Sequence, residues 1–365
     1  MVGQVVGALI VAKGGPGVTS ERASGAVTLE EVARAAGVSL ATASRALNGS
    51  TRKVNPEYRE RVQAAARALN YSPNLAAQAV AKGGTSTVAL VVADISDPYF
   101  ASIASGVMRA AEERGLIVTI GSTERRHARE AALVRVLRGQ RPRSVILVGS
   151  RWSPPGSDRG LAEELMAFEK AGGRVTMVSQ PQLPFRTIDI RNREGAAALA
   201  NQLIKHGYRS AAILTGPTGL LTAQERTLGF ADAFAAAGHP IDERWLVAGD
   251  FTRDGGFLGA AELRRRGLDE IELLFAVNDV MAVGAMAYLR STGARLPEDL
   301  AVAGFDDISS LRDVVPALTT VSLPLEFIGR RAIELALDDE QNSETRVPIH
   351  GAPVLRESTP LLVRV

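Results

Sequence analysis

Between residues 37 and 49 the chain reads GVSLATASRALNG, and six side chains able to meet another molecule stand almost side by side: Ser39, Leu40, Ala41, Thr42, Ser44 and Arg45. On a helical wheel Ala43, Ala46 and Leu47 share one face, while Leu40, Ala41, Ser44 and Arg45 fall on the other. Short outward residues allow close approach to a groove. Leu40 and Ala41 can touch thymine methyl groups, and Arg45 can offer two donors to guanine. Ser39, Thr42 and the helix N-terminus can hold phosphate. A surface helix in a small bundle would show the same Ser/Ala/Arg face, so the stretch alone leaves both readings open. The tight helix–glycine–helix spacing around Gly37 and Val38 favours a helix-turn-helix unit.

Other chemistry is thinly represented. The sequence has no cysteine, so it has neither a disulfide framework nor a thiolate metal site, which fits a reducing compartment. His127, His206, His239 and His350 are scattered without metal-ligand spacing. The glycines of 14–17 neither follow a strand nor open a helix, and no Walker motif, G-x-G-x-x-G or nucleophile elbow occurs. Adjacent Asp306 and Asp307 suit a cap and a ligand contact better than carboxylate catalysis. No enzyme, cofactor or metal is expected.

The elements that must position these residues follow from periodicity. The chain has 365 residues, 46% hydrophobic and 22% charged, enough for two or three globular domains. Residues 1–27 are glycine-rich and read as a disordered arm. The early apolar run at 5–11 is too short to span a membrane and has no basic residue before it, so no signal peptide is expected. Thr28-Leu29-Glu30-Glu31 is a capping box, with Leu29, Val32, Ala33 and Ala36 on one face. Ser39 can cap the second helix. Asn55-Pro56 starts a third, with Val62, Ala65, Ala66 and Leu69 as its stripe. Residues 1–84 carry ten basic and five acidic side chains, so the head holds +5 and the rest of the chain −3. That asymmetry suits a polyanion partner, although solvated helices carry such surpluses too.

From residue 88 strands and helices alternate. Strands are predicted at 88–93, 117–120, 145–148 and 175–178, and again at 211–214, 246–248, 273–277 and 300–303. Helices are predicted at 99–114, 222–237 and 280–291. Continuous apolar strands between amphipathic helices predict parallel sheets covered on both faces, in two similar doubly wound lobes.

Several ordered motifs then resemble one family. TLEEVARAAGVSLATASRALNG (28–49) and VNPEYRERVQAAARALNYSPN (54–74) are similar to the DNA-binding head of the LacI family of transcriptional regulators. VALVVADISDPYF (88–100), LFAVNDVMAVGAM (274–286), VAGFDDI (302–308) and PALTTVSLP (316–324) resemble that family's core motifs. The resemblance implies a helix-turn-helix domain at 28–73, a hinge helix at 74–86 and an effector-binding, dimerising core at 87–365. That core would be periplasmic binding protein-like, with lobes at roughly 87–185 plus 323–339 and 186–322 plus 340–365.

It further implies that Leu40 and Ala41 read bases with Arg45 one turn on. Thr28, Ser39, Ser44, Asn48, Tyr71 and Asn74 would touch backbone or flanking bases, and Thr28 and Ser39 can also act as plain caps. Ala77 and Val80 would enter the minor groove. The usual wedge residue there is Leu, and the shorter, stiffer Val80 departs from it. The implied effector contacts are Asp97, Tyr99, Phe100, Gln180, Thr222, Arg226, Phe251, Asn278 and Asp306. They combine directed polar groups with aromatic faces for a sugar ring. Phe100 and Phe251 could instead be plain core, and Arg226 could be a structural ion-pair partner of Asp306, an arrangement compatible with ligand binding. Gln180 stands where purine-responsive relatives tend to place an aromatic, which favours a sugar. The implied protein is a cytoplasmic, nucleoid-associated homodimer or higher oligomer. It would bind double-stranded operator DNA, have no membrane partner, and be controlled allosterically as a repressor. A transport-type binding protein with an unrelated head is the rival, and it would need export.

Overall fold

The computed structural model describes residues 27–48, 54–72, 85–154, 156–338 and 345–362. It divides near residue 78 into two compact units, a small head and a large core.

The head is three helices: α1 (Leu29–Ala35), α2 (Leu40–Asn48) and α3 (Pro56–Ala68). Each start is written in the sequence. The Glu31 amide donates to Thr28 Oγ1 at 3.3 Å and the Thr28 amide donates back to Glu31 Oε2 at 2.8 Å, a complete capping box. Ser39 Oγ accepts from the Thr42 amide at 3.2 Å, and Asn55 Oδ1 from the Glu57 amide at 3.0 Å. Gly37 turns the chain at φ +62, a conformation that favours glycine, and a Cβ there would lie 2.6 Å from Arg61 Nη2. That same nitrogen donates to Ala36 O at 2.6 Å, tying α3 to the turn between α1 and α2. Val32, Ala33, Ala36, Ala43, Ala46, Val62 and Ala66 form the buried core. Five of these seven are alanine, so the helices can cross closely.

The core contains two parallel sheets. The first lobe's strands are β1 (Thr87–Val92), β2 (Ile117–Ser122), β3 (Ser144–Val148), β4 (Arg174–Val178), β5 (Arg186–Ile190) and β11 (Arg346–Ile349), ordered β11-β5-β4-β3-β1-β2. Its helices are α4 (Pro98–Glu112), α5 (Arg129–Gly139), α6 (Arg159–Lys170) and α11 (Leu325–Leu337). Along β1, Val88, Leu90 and Val92 join one buried cluster while Ala89 and Val91 join another, as expected of a strand covered on both faces. α4 and α11 approach closely at glycines: a Cβ on Gly106 would lie 2.1 Å from Glu326 O, and one on Gly329 2.1 Å from Ile103 O.

The second lobe carries β6 (Ala211–Leu214), β7 (Leu246–Val247), β8 (Leu273–Ala276) and β9 (Ala301–Ala303), ordered β7-β6-β8-β9. Its helices are α7 (Asn192–Lys205), α8 (Leu221–Ala236), α9 (Arg253–Arg265) and α10 (Asp279–Ser291). An antiparallel pair, β10 (Thr320–Ser322) with β12 (Ala352–Val354), lies against α7.

The predicted lobe boundaries need correction. Residues 186–190 pair with β4 and 346–349 pair with β5, so both belong to the first sheet rather than to the second lobe. The chain crosses between lobes after β5, after β10 and between β11 and β12. The sequence RTIDI lacks a continuous apolar run, and RVPI carries a proline suited to an edge strand, so neither announced itself. The arm at 1–26 lies outside the described residues. So do Asn74, Ala77 and Val80, with the greater part of the predicted hinge.

Candidate operator interface and effector cavity

On the head, α2 presents the predicted face. Ala43 and Ala46 are buried, while Leu40 is 51% exposed and Ala41 and Arg45 are exposed. Among the described residues Leu40 is not part of the head's hydrophobic cluster. Ser39 Oγ and Thr42 Oγ1 lie 2.8 Å apart at the same end. Tyr71 packs on the head's core with Val54 and Leu69. Asn48 closes α2, and its side chain lies outside the described residues.

In the core, all nine predicted effector residues line one cavity of about 410 Å³ between the lobes. It sits at the C-terminal ends of the parallel strands, where doubly wound sheets place their ligands. Asp97 caps α4 by accepting from the Tyr99 amide at 2.9 Å, and its other oxygen accepts from Arg125 at 2.6 Å. Tyr99 and Phe100 meet edge to face at 5.0 Å between ring centres. Burial raises the Tyr99 hydroxyl far above its usual range, so it remains a neutral donor. Asn278 caps α10 through Oδ1, accepting from the Met281 amide at 2.9 Å.

Arg226, on α8, is almost wholly buried. It donates to Asn192 Oδ1 at 2.8 Å and Val277 O at 2.8 Å, pairs with Asp306 Oδ1 at 2.8 Å, and stacks 3.8 Å over Phe305. Burial pushes the Asp306 carboxyl upward while the Arg226 charge pulls it back. Asp306 holds φ +120, a strained backbone for a residue with a side chain. Its amide donates to Val321 O at 2.9 Å, which ties the cavity wall to the crossover strand β10. The neighbouring Asp307 pairs instead with Arg356 at 2.7 Å.

Gln180 and Thr222 face each other across the cleft. The Gln180 amide nitrogen donates to Thr222 Oγ1 at 2.9 Å and Glu225 Oε2 at 3.3 Å. Its oxygen accepts from the Arg151 amide at 2.9 Å and Ser150 Oγ at 3.3 Å. The amide's capacity is therefore filled by protein groups.

Sequence reasoning missed Arg125, His127, Glu130, Ser150, Trp152, Asn192 and Asp250, which line the same cavity. Trp152 follows the C-terminal end of β3, and that position in a parallel sheet was the available signal. His127, Glu130 and Asp158 converge in space although their spacing gave no hint of it. A metal does not fit among them. Arg151 Nη1 lies 3.0 Å from Glu130 Oε2 and 2.9 Å from Asp158 Oδ1, so a guanidinium already stands in the cation's place.

Helix-turn-helix head and two-lobed parallel-sheet core together define a DNA-binding regulator with a small-molecule cavity. Residues 28–74 match bacterial regulatory proteins, lacI family, and residues 200–359 match the periplasmic binding protein-like domain. The HTH-type transcriptional regulator CelR of Thermobifida fusca is 36% identical over 91% of this chain and 98% of its own length. The HTH-type transcriptional repressor CytR of Escherichia coli K12 is 32% identical over 87% and 90%. A solved CelR–cellobiose complex superposes at TM-score 0.66 with 33% identity, covering 91% of this chain and 99% of its own. The lac repressor dimer bound to operator shares the fold at TM-score 0.78 and 24% identity, over 92% and 100%. The chain belongs to the LacI family of DNA-binding transcriptional regulators; it is not an enzyme. No described helix is long and apolar enough to cross a membrane.

Proposed function

We propose that this regulator is a homodimeric repressor whose inter-lobe cavity takes a sugar, and that occupation of the cavity changes its affinity for operator DNA. The observation that carries the reading is the convergence of Arg226, Asp306, Asn278 and Asp97 with Tyr99, Phe100 and Phe251 on one cavity. Paired polar groups among aromatic faces suit a polyhydroxylated ring. The Asn278 amide nitrogen and the Arg226–Asp306 pair would bond hydroxyls, and the aromatic rings would stack on the apolar sugar face. Cellobiose, found in the complex of the related CelR, is the first candidate.

On the head, Leu40, Ala41 and Arg45 would read base edges in the major groove. Thr28, Ser39, Ser44, Asn48, Tyr71 and Asn74 would set position on the duplex, and Ala77 and Val80 would enter the minor groove. The protein would act in the cytoplasm, on the nucleoid.

The test combines calorimetry over a sugar panel that includes cellobiose with anisotropy of the gene's own upstream DNA. The expected result is one sugar that binds and shifts operator affinity roughly 5- to 150-fold, an energy of about 1–3 kcal/mol. Operator affinity indifferent to every bound sugar would overturn the reading.

A further inference from the structure

Arg141, Pro142 and Arg143 form the turn that joins the end of α5 to the start of β3. Pro142 is buried and anchors the turn, while both arginines are exposed. Neither guanidinium has an ion-pair partner among the described residues. The acids on flanking helices are engaged elsewhere: Glu164 of α6 holds Arg135 and Arg138, and Glu113, which follows α4, holds Arg330. Residues 85–365 carry more acidic than basic side chains, so a basic turn without partners is not a by-product of composition.

Arg141 also sits at φ +52. Glycine adopts that left-handed backbone freely, whereas a residue with a side chain enters it against strain. The strain is kept at a position whose guanidinium does nothing for the core's own packing or pairing, which directs attention to a contact outside the chain.

The turn stands where the chain arriving from the head enters the core. Thr85 Oγ1 donates to Arg141 O at 2.7 Å, and the Arg143 amide donates to Thr87 O at 2.8 Å. Thr85 lies thirteen residues beyond Ser72, the last described residue before it, at most about 47 Å of extended chain. A duplex held by the head carries one phosphate charge for about every 1.7 Å of its axis. Phosphates beside the operator therefore fall within reach of that tether.

We propose that Arg141 and Arg143 make a second DNA contact, supplied by the core: they bind backbone phosphates flanking the sequence that the head reads. A guanidinium forks onto phosphate oxygens, and such contacts are blind to base sequence. They add affinity and salt dependence without changing base preference. The C-terminal carbonyls of α5 favour nearby arginines as well, but that purely structural use predicts lost stability with unchanged DNA binding.

The test uses the full-length protein and two duplexes of the gene's own upstream DNA. One is trimmed to the base pairs whose substitution weakens binding, and the other is extended at each end by a further ~10 bp, one helical turn. Anisotropy is read between about 50 and 200 mM salt. Over that range the unaltered protein should lose more affinity on the extended duplex than on the trimmed one, by roughly 3.5-fold for each arginine-bound phosphate. Arg141→Gly combined with Arg143→Gln should remove that difference. Glycine suits the backbone at 141, so the urea midpoint should not fall. Arg45→Ala should weaken both duplexes alike, which keeps the head's contacts apart from the core's. Equal salt dependence of the unaltered protein on the two duplexes, or a double variant that keeps the difference, would overturn the proposal. So would a double variant that weakens equally on both duplexes, because the arginines would then act on the protein's own residues.

Discussion

Arg226 and Asp306 meet at 2.8 Å in the cavity wall, both side chains almost wholly shielded from water. The pair joins the two things the core must do. Arg226 reaches Asn192, at the first crossover after β5, while the Asp306 backbone is bonded to β10 at the second. A ligand that bonds this pair therefore touches the segments about which the lobes must move.

Removing one partner leaves the other charge buried. Arg226→Leu should lower the unfolding free energy by about 3–5 kcal/mol, read by urea denaturation. Adding Asp306→Asn should recover much of that stability without restoring sugar binding in calorimetry. A double variant as unstable as the single one would show that the pair is not what the loss measures.

Thr28 separates capping from DNA contact. Thr28→Ala should destabilise the head by about 0.5–2 kcal/mol, because the Glu31 amide loses its acceptor. Thr28→Asp keeps a cap while placing a negative charge where phosphate would lie. It should hold the melting temperature of the head and weaken operator binding in anisotropy. Unchanged operator affinity in Thr28→Asp would confine Thr28 to the capping role.

Most of this architecture was legible because its physics is local. The capping box at Thr28, the Asn55-Pro56 start and the wheel of α2 each need only a few neighbouring residues. The central strands β1 and β3 read as continuous apolar runs because both faces are covered, whereas β2, at the sheet edge, leaves Ile117 and Ile120 exposed. What escaped depends on contacts distant in sequence. β5 and β11 gain their place by pairing with each other and with β4, not by their own composition. Trp152, His127 and Arg125 sit in segments that look like ordinary loops, and only the convergence of strand ends brings them to the cavity. The nine residues that line the cavity could be named together because motif resemblance stood in for that missing geometry. Resemblance could not foretell that Gln180 spends its hydrogen bonds across the cleft.

Asp279 gives the core a pH signature. Burial raises its carboxyl from 3.8 to about 6, outweighing the bonds it accepts from Thr320 Oγ1 and the Ile308 amide. The folded state thus holds this proton more tightly than the unfolded chain. Its contribution to stability is full below the unfolded value and is lost as pH rises through the folded one, by up to about 3 kcal/mol. Urea midpoints measured from pH 4 to pH 7 should fall across that window, and Asp279→Asn should flatten the fall. Parallel curves for the two proteins would assign the pH dependence to other groups.

The operator face separates base reading from phosphate binding. Arg45→Ala should cost about 1–3 kcal/mol on the best operator and relax discrimination at one base position. Its slope against salt should change little, since a contact to guanine releases few counterions. The intact protein should lose affinity steeply with salt, with a logarithmic slope of about −0.9 for each phosphate neutralised. Anisotropy titrations at several salt concentrations measure both quantities on the same DNA. A flat salt dependence would mean that the basic head does not engage the backbone. An Arg45→Ala protein that weakens equally on every sequence would place Arg45 on phosphate and leave Leu40 and Ala41 as the base-reading pair.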